Sequence, residues 1–201
     1  MKTDIFLIRH GETDGTLERK YISSTDLPLN GKGRTQAQKL SERLCRENIT
    51  AVYSSPKTRC LQFAELVFGK QKIEKKKELE ELGFGVFEGL NHEELMNLYP
   101  EIYQKWIEDP FNNPVPGGEI FAEFIERVKR VIHKIIEENQ GKRIAVVSHG
   151  GPVRVLLSEV RDLCLNAILQ THVDPASLCI IEYKNGKAEI IVQNDVSHLD
   201  G

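Results

Sequence analysis

Asp4-Ile5-Phe6-Leu7-Ile8-Arg9-His10-Gly11 and Arg143-Ile144-Ala145-Val146-Val147-Ser148-His149-Gly150 follow one plan, a short apolar run that ends in histidine and then glycine. Neither run shows the in–out alternation of a half-exposed strand, and both are too short for a typical helix. Such runs belong to strands covered on both faces, so Asp4–Ile8 and Arg143–Val147 are predicted to lie inside a parallel sheet. Thr50–Tyr53 reads the same way. Ser177–Tyr183 and Ala188–Val192 flank Asn185-Gly186, a two-residue hairpin signal, and should add antiparallel strands at a sheet edge.

Helical patterns separate these strands. Gly33–Glu47 sets Ala37, Leu40 and Leu44 on one face, and Pro56–Phe68 begins with proline near a first turn, where a missing N–H costs little. Glu119–Asn139 is the clearest helix, with apolar residues in steps of three and four from Phe121 to Ile136 and Gly141 just past its end. A further helix follows Gly151 and runs through Val153–Val160. Strands alternating with helices predict an α/β three-layer sandwich, a mostly parallel central sheet flanked by helices. Residues 82–118 break the alternation with Pro100, Pro110, Pro114, Pro116, Trp106 and a short helical piece at His92–Tyr99. They read as an insertion over one end of the sheet within a single domain spanning 1–201. Lys75-Lys76-Lys77 reads as a solvated edge.

With 201 residues, 40% of them apolar, the chain is long enough for a substantial core. Lys and Arg number 27 against 30 Asp and Glu, a balance that argues against a general nucleic-acid or membrane-surface binder. No apolar run approaches the ~18 residues that span a membrane, and the N-terminus lacks a signal-peptide core. Cys45, Cys60, Cys164 and Cys179 are scattered without a C-x-x-C pair and read as reduced packing thiols of a cytoplasmic protein. In that setting the Asn48-Ile49-Thr50 sequon is silent. The histidines lack metal-site spacing, so neither a metal nor any other cofactor is expected.

In open α/β sheets ligands bind beyond the carboxyl ends of strands, where His10 and His149 stand. One strand-end histidine is ordinarily structural. Two of them on the same plan suggest a shared crevice. Ser148 is a poor nucleophile for His149 as base, because neighbours on an extended chain point to opposite sides, and no G-x-S-x-G elbow is present.

Five pieces in order carry a resemblance: Arg9-His10-Gly11-Glu12-Thr13, Thr25-Asp26-Leu27-Pro28-Leu29, Tyr53-Ser54-Ser55-Pro56 with Arg59, Gly85-x-Phe87-Glu88-Gly89, and Ser148-His149-Gly150-Gly151. Together they resemble the histidine phosphatase superfamily, the phosphoglycerate-mutase-like group, over roughly the whole chain. The resemblance implies that His10 is a nucleophile forming a phosphohistidine, with Arg9, Arg59 and His149 around the phosphoryl group. Phosphoryl transfer asks for an in-line nucleophile and positive charge on the equatorial oxygens, and arginine forks supply that charge. Those cations favour the neutral imidazole that can attack. Helix N-termini after Gly11 or Gly151 would add N–H donors.

The resemblance also aligns Glu81 with the family's general acid, with Glu80 and Glu88 as rivals. It brings Thr16, Lys20, Tyr21 and Gly150 to the substrate. Thr16 and Lys20 depart from the asparagine and arginine common there: Thr16 can still give one hydrogen bond to phosphate, whereas Lys20 loses the fork. Tyr21 and Ser23 would form one lip, and Phe84, Phe87, Tyr21 and Phe111 read either as an apolar wall or as core. The implied activity is metal-independent hydrolysis of a small phosphorylated metabolite, in the branch that includes α-ribazole-5′-phosphate phosphatases. Broad-specificity and phosphoserine phosphatases are close alternatives. A phosphoglycerate mutase is another, disfavoured here by compact length, and an inert binding member is the least expected. The resemblance leaves a homodimer open.

Overall fold

Residues 1–163 and 168–200 are described by a computed structural model. Strands β1 (Lys2–Arg9), β2 (Ala51–Ser54), β3 (Ile73–Lys75), β4 (Arg143–Ser148), β5 (Leu178–Lys184) and β6 (Lys187–Asp195) form one sheet in the order β3-β2-β4-β1-β5-β6. The first four run parallel, and β5 and β6 are antiparallel additions at one edge. Asn185 (φ 53°) and Gly186 (φ 75°) both take the left-handed conformation that the tight hairpin turn requires.

Alternation along β1 explains why the sheet is the middle layer. Ile5 and Leu7 enter one apolar cluster, Phe6 and Ile8 the other, and all four are at most 1% exposed. Each such burial contributes about 1.5–3 kcal/mol. On the Phe6 side pack α2 (Gly31–Leu44) and α3 (Thr58–Phe68), through Ala37, Leu40, Phe63 and Val67. On the Ile5 side pack α6 (Phe121–Glu138) and α7 (Gly150–Val160), through Phe124, Val128, Ile132 and Leu156. Between β1 and α2 lies the single turn α1 (Asp14–Leu17), and residues 82–118 hold α4 (His92–Leu98) and α5 (Pro100–Glu108). The three-layer α/β expectation holds.

Several boundaries differ from expectation for local reasons. Pro56 lies outside α3: Lys57 is still extended, and the carboxylate of Asp26 caps the helix by accepting from the N–H (2.7 Å) and hydroxyl (2.7 Å) of Thr58. Asn30 opens α2 earlier than predicted, its side chain accepting from the Gly33 N–H at 2.9 Å. Lys75-Lys76-Lys77 is not a wholly solvated edge. Lys75 ends β3, and Lys76 is half-buried, paired with Glu74 and lying over the Tyr53 ring at 5.6 Å. Cys60 and Cys179 are buried free thiols and Cys45 is exposed, while Cys164 lies outside the described residues. Among the described residues no helix is long and apolar enough to cross a membrane.

Register carries this frame to the site. Arg9 pairs with Ser148 across β1 and β4, and the His10 N–H donates to the Ser148 carbonyl at 2.9 Å. The residues that leave the two strand ends, His10 and His149, therefore emerge side by side.

Candidate active site

The imidazoles of His10 and His149 lie edge to face, 5.2 Å between centroids, and are 4% and 1% exposed. His10 Nδ1 stands 2.7 Å from the Gly11 carbonyl, which can only accept. The proton therefore sits on Nδ1, and Nε2 keeps its lone pair. Gly11 has to be glycine: a Cβ there would come within 2.8 Å of the Gly33 carbonyl and of the Phe63 ring.

His149 is fixed the opposite way. Arg59, 1% exposed on α3, donates from Nε to His149 Nδ1 at 3.3 Å, so that nitrogen is the acceptor. Nε2 then carries the proton and donates to Ser55 Oγ at 2.8 Å. The remaining Arg59 nitrogens donate to the carbonyls of Thr25 (3.1 Å) and Ile22 (3.4 Å). As expected, Ser148 turns away, its hydroxyl donating to the Leu79 carbonyl at 2.7 Å. Burial first, and then the charges of Arg59 and Arg9, hold the His10 pKa well below the usual imidazole range. His149 is lowered by burial, Arg59, His10 and Arg9 in that order.

Arg9 donates from Nη1 to the Val173 carbonyl at 2.6 Å, yet its buried Nε has no partner among the described residues. Burial and the neighbouring Arg154 lower its pKa to about 10. A guanidinium that lines a cavity is a ready contact for an anion. That cavity, about 470 Å³, is lined by Arg9, His10, Thr16, Lys20, Tyr21, Arg59, Glu81 and Gly150, and exposed Arg19 and His172 stand at its rim.

Glu81 reaches this cavity from the segment after β3. Both of its carboxylate oxygens lie 3.1 Å from the Gly151 N–H, at the first turn of α7, and Oε1 also accepts from the Leu82 N–H at 3.0 Å. A Cβ at residue 151 would sit 2.0 Å from Glu81 Oε1, so only glycine admits the carboxylate here. The rivals are placed elsewhere. Glu80 faces Lys57 at 3.8 Å. Glu88 accepts from Ser23 and Thr25, and although burial opposes it, those hydrogen bonds hold its pKa below the usual carboxylate range.

Two expectations need correction, the free Thr16 hydroxyl and the place of Ser23. The Thr16 hydroxyl donates to the Thr13 carbonyl at 2.9 Å in a capping box, so its proton is already used and not free for phosphate. Lys20 is paired with Glu18 at 2.6 Å. Ser23 does not share the lip with Tyr21; it is buried, bonded to Glu88 and to the Phe84 N–H. Phe87 is core and Phe111 packs on Phe121, which leaves Tyr21 and Phe84 as the aromatic wall. Sequence reasoning missed Ser55, Arg19, His172 and Arg154. Arg154 had a signal, since it follows Gly150 by one helical turn and shares its face. Its Nε donates to the Thr171 carbonyl at 2.8 Å, and it has no carboxylate partner among the described residues. Among those residues no group of three or more His, Cys, Asp or Glu side chains is placed to hold a metal.

The sequence profile of the histidine phosphatase superfamily (branch 1) matches residues 5–196. The chain belongs to the histidine phosphatase superfamily. Among its relatives, phosphoglycerate mutase-like protein 4 of Arabidopsis thaliana is 34% identical, over 98% of this chain and 87% of the relative. Adenosylcobalamin/alpha-ribazole phosphatase of Escherichia coli is 31% identical over 94% and 95%. The structure of Bacillus stearothermophilus YhfR superposes with a TM-score of 0.91 at 30% identity, covering 98% of this chain and 100% of that one. Relatives matched over most of their length thus carry both mutase-like and phosphatase names.

Burying two neutral imidazoles has a consequence for stability. Unfolded histidine titrates near pH 6.5, and both native groups titrate lower, so between those values the unfolded chain binds more protons. This histidine phosphatase is expected to keep the pair's full stabilisation above pH ~6.5 and to lose it on acidification, at up to about 2.7 kcal/mol per pH unit. Urea unfolding at pH 7 and pH 5.5 measures the loss, and His10→Asn should remove about half of it. A His10→Asn protein with the wild-type pH dependence would overturn this account.

Proposed function

We propose that this chain is a metal-independent phosphomonoesterase that hydrolyses a small phosphorylated metabolite through a phosphohistidine at His10. The observation that carries the proposal is the His10–His149 pair, 5.2 Å apart, beside the unpaired buried Nε of Arg9. His10 Nε2 attacks phosphorus, the N–P bond forms, and the ester P–O bond breaks as Glu81 gives its proton to the leaving oxygen. The Gly11 carbonyl at Nδ1–H stabilises the positive imidazole ring of the intermediate. Arg9 and Arg59 take the equatorial oxygens, the His149 Nε2–H joins them by exchanging Ser55 Oγ for a phosphate oxygen, and Gly150 lets phosphate approach the backbone. Glu81 then takes a proton from water, whose oxygen displaces His10 from phosphorus. Lys20, Thr16 and Tyr21 line the side where the rest of the substrate would lie, with residues 82–118 as the insertion that covers it.

Two substrate types fit this site. Likeness to the alpha-ribazole phosphatase and the Tyr21–Phe84 wall favour α-ribazole-5′-phosphate. The lining cations Arg19 and Arg154, beyond the two that phosphate needs, favour an ester bearing a second acid group, such as phosphoserine. The test is a panel of α-ribazole-5′-phosphate, phosphoserine and 3-phosphoglycerate in the presence of EDTA. Free phosphate is expected from at least one of them at undiminished rate. Accumulation of 2-phosphoglycerate without phosphate, or loss of activity in EDTA, would overturn the proposal.

A further inference from the structure

Pro116-Gly117-Gly118-Glu119 has no part in the steps above, and neither does Arg127 on α6. Arg127 nevertheless uses all five of its N–H groups on two neighbours, the main chain of residues 78–81 and the Glu119 carboxylate. Its Nη1 donates to the carbonyls of Glu78 (2.7 Å) and Glu80 (2.9 Å), and Nη2 to the Glu81 carbonyl at 3.0 Å. The remaining donors fork onto Glu119, from Nε to Oε1 at 2.5 Å and from Nη2 to Oε2 at 2.8 Å. Glu119 Oε2 in turn accepts from the Gly83 N–H at 3.2 Å, and the Glu119 N–H donates to the Gly83 carbonyl at 2.9 Å. The guanidinium lies on the Phe124 ring, 4.8 Å from its centroid.

Glycines close the same contact from the other side. Gly85 has φ +52°, and a Cβ on it would come within 2.3 Å of both the Pro116 carbonyl and the Gly118 N–H. A Cβ on Gly118 would come within 2.8 Å of the Gly83 carbonyl. Backbone therefore lies directly on backbone just after Glu81, at Gly83 and Gly85, while among the described residues the Glu81 carboxylate is held by main-chain N–H groups alone.

We propose that Arg127 and Glu119 form a clamp that positions Glu81 for proton transfer. This rests on the reading of Glu81 as the acid. Arg127 touches no reacting atom; it is a positioning residue. It fixes the main chain from which the carboxylate projects, and a displacement of about 1 Å at such a group costs on the order of 10²-fold in rate.

The test compares kcat/KM for glycerol 2-phosphate, a poor leaving group, with that for p-nitrophenyl phosphate, a good one. Arg127→Ala is expected to lose about 10²-fold on the first and less than about fivefold on the second. Arg127→Lys and Glu119→Gln, which keep part of the clamp and guard against misfolding in the alanine protein, should lose about tenfold on glycerol 2-phosphate alone. In a Glu81→Gln background, Arg127→Ala should add less than about twofold, because the group it positions is already gone. Equal losses on the two esters, or losses that multiply with Glu81→Gln, would assign Arg127 to general stability and overturn the clamp. If Glu81→Gln itself spares glycerol 2-phosphate, the acid assignment falls and the clamp with it. If only Arg127→Ala spares it, the clamp alone falls.

Discussion

His10→Ala should reduce turnover of p-nitrophenyl phosphate by roughly three to six orders of magnitude, the scale on which covalent nucleophiles fail when removed. Among the described residues, the two groups packed beside it are not free to replace it. His149 has Nδ1 bonded to Arg59 and Nε2 bonded to Ser55, and Cys60 beside it is buried, with its thiol pushed up to about 12 and so not a thiolate. The guanidinium groups of Arg9 and Arg59 remain, so inorganic phosphate should still bind, with Kd changed by less than about tenfold. Steady-state kinetics and phosphate titration of the same preparation separate the two effects. More than about one-hundredth of wild-type turnover, from protein free of contaminating phosphatase, would remove His10 from the nucleophile role.

The parts of this fold that sequence reveals are those whose pattern is set locally. Ile5 to Ile8 and Ile144 to Val147 are apolar at every position because both faces of the sheet are covered, and α6 repeats its apolar stripe because one face packs on that sheet. β3 was hidden: it has three residues, Ile73 is its sole apolar member, and its existence depends on pairing with Val52. α5 was hidden for another reason. Tyr99, Tyr103 and Trp106 follow helical steps behind Pro100 at the first turn, but the surrounding prolines mask the period.

The site divides along the same line. His10 and His149 stand at the ends of legible strands, so their meeting follows from strand order and register. Glu81 meets the N-terminus of α7 across 70 positions, and the contact depends on Gly151 having no side chain. No spacing within either segment announces it; the resemblance alone pointed there. Thr16 fails in the opposite direction. Its hydroxyl is available by residue type, yet the Thr13 carbonyl three residues back takes its proton.

Glu81→Gln should separate proton donation from the rest of catalysis. The amide keeps an oxygen able to accept the Gly151 N–H, so the loop and the anion pocket should stay as they are. For glycerol 2-phosphate the alkoxide must leave protonated, and kcat/KM is expected to fall by about 10²–10⁴-fold. For p-nitrophenyl phosphate the leaving group is a weak base, and kcat/KM should fall by less than about tenfold. Its kcat should nevertheless drop, because the second step needs the same carboxylate to take a proton from water. Phospho-His10 then accumulates, and rapid mixing should show a burst of one p-nitrophenolate per active site before a slow steady rate. A variant with equal kcat/KM losses on both esters and no burst would hold Glu81 to orienting Gly151 and the phosphate pocket. The proton would then have to come from another group within reach of the cavity.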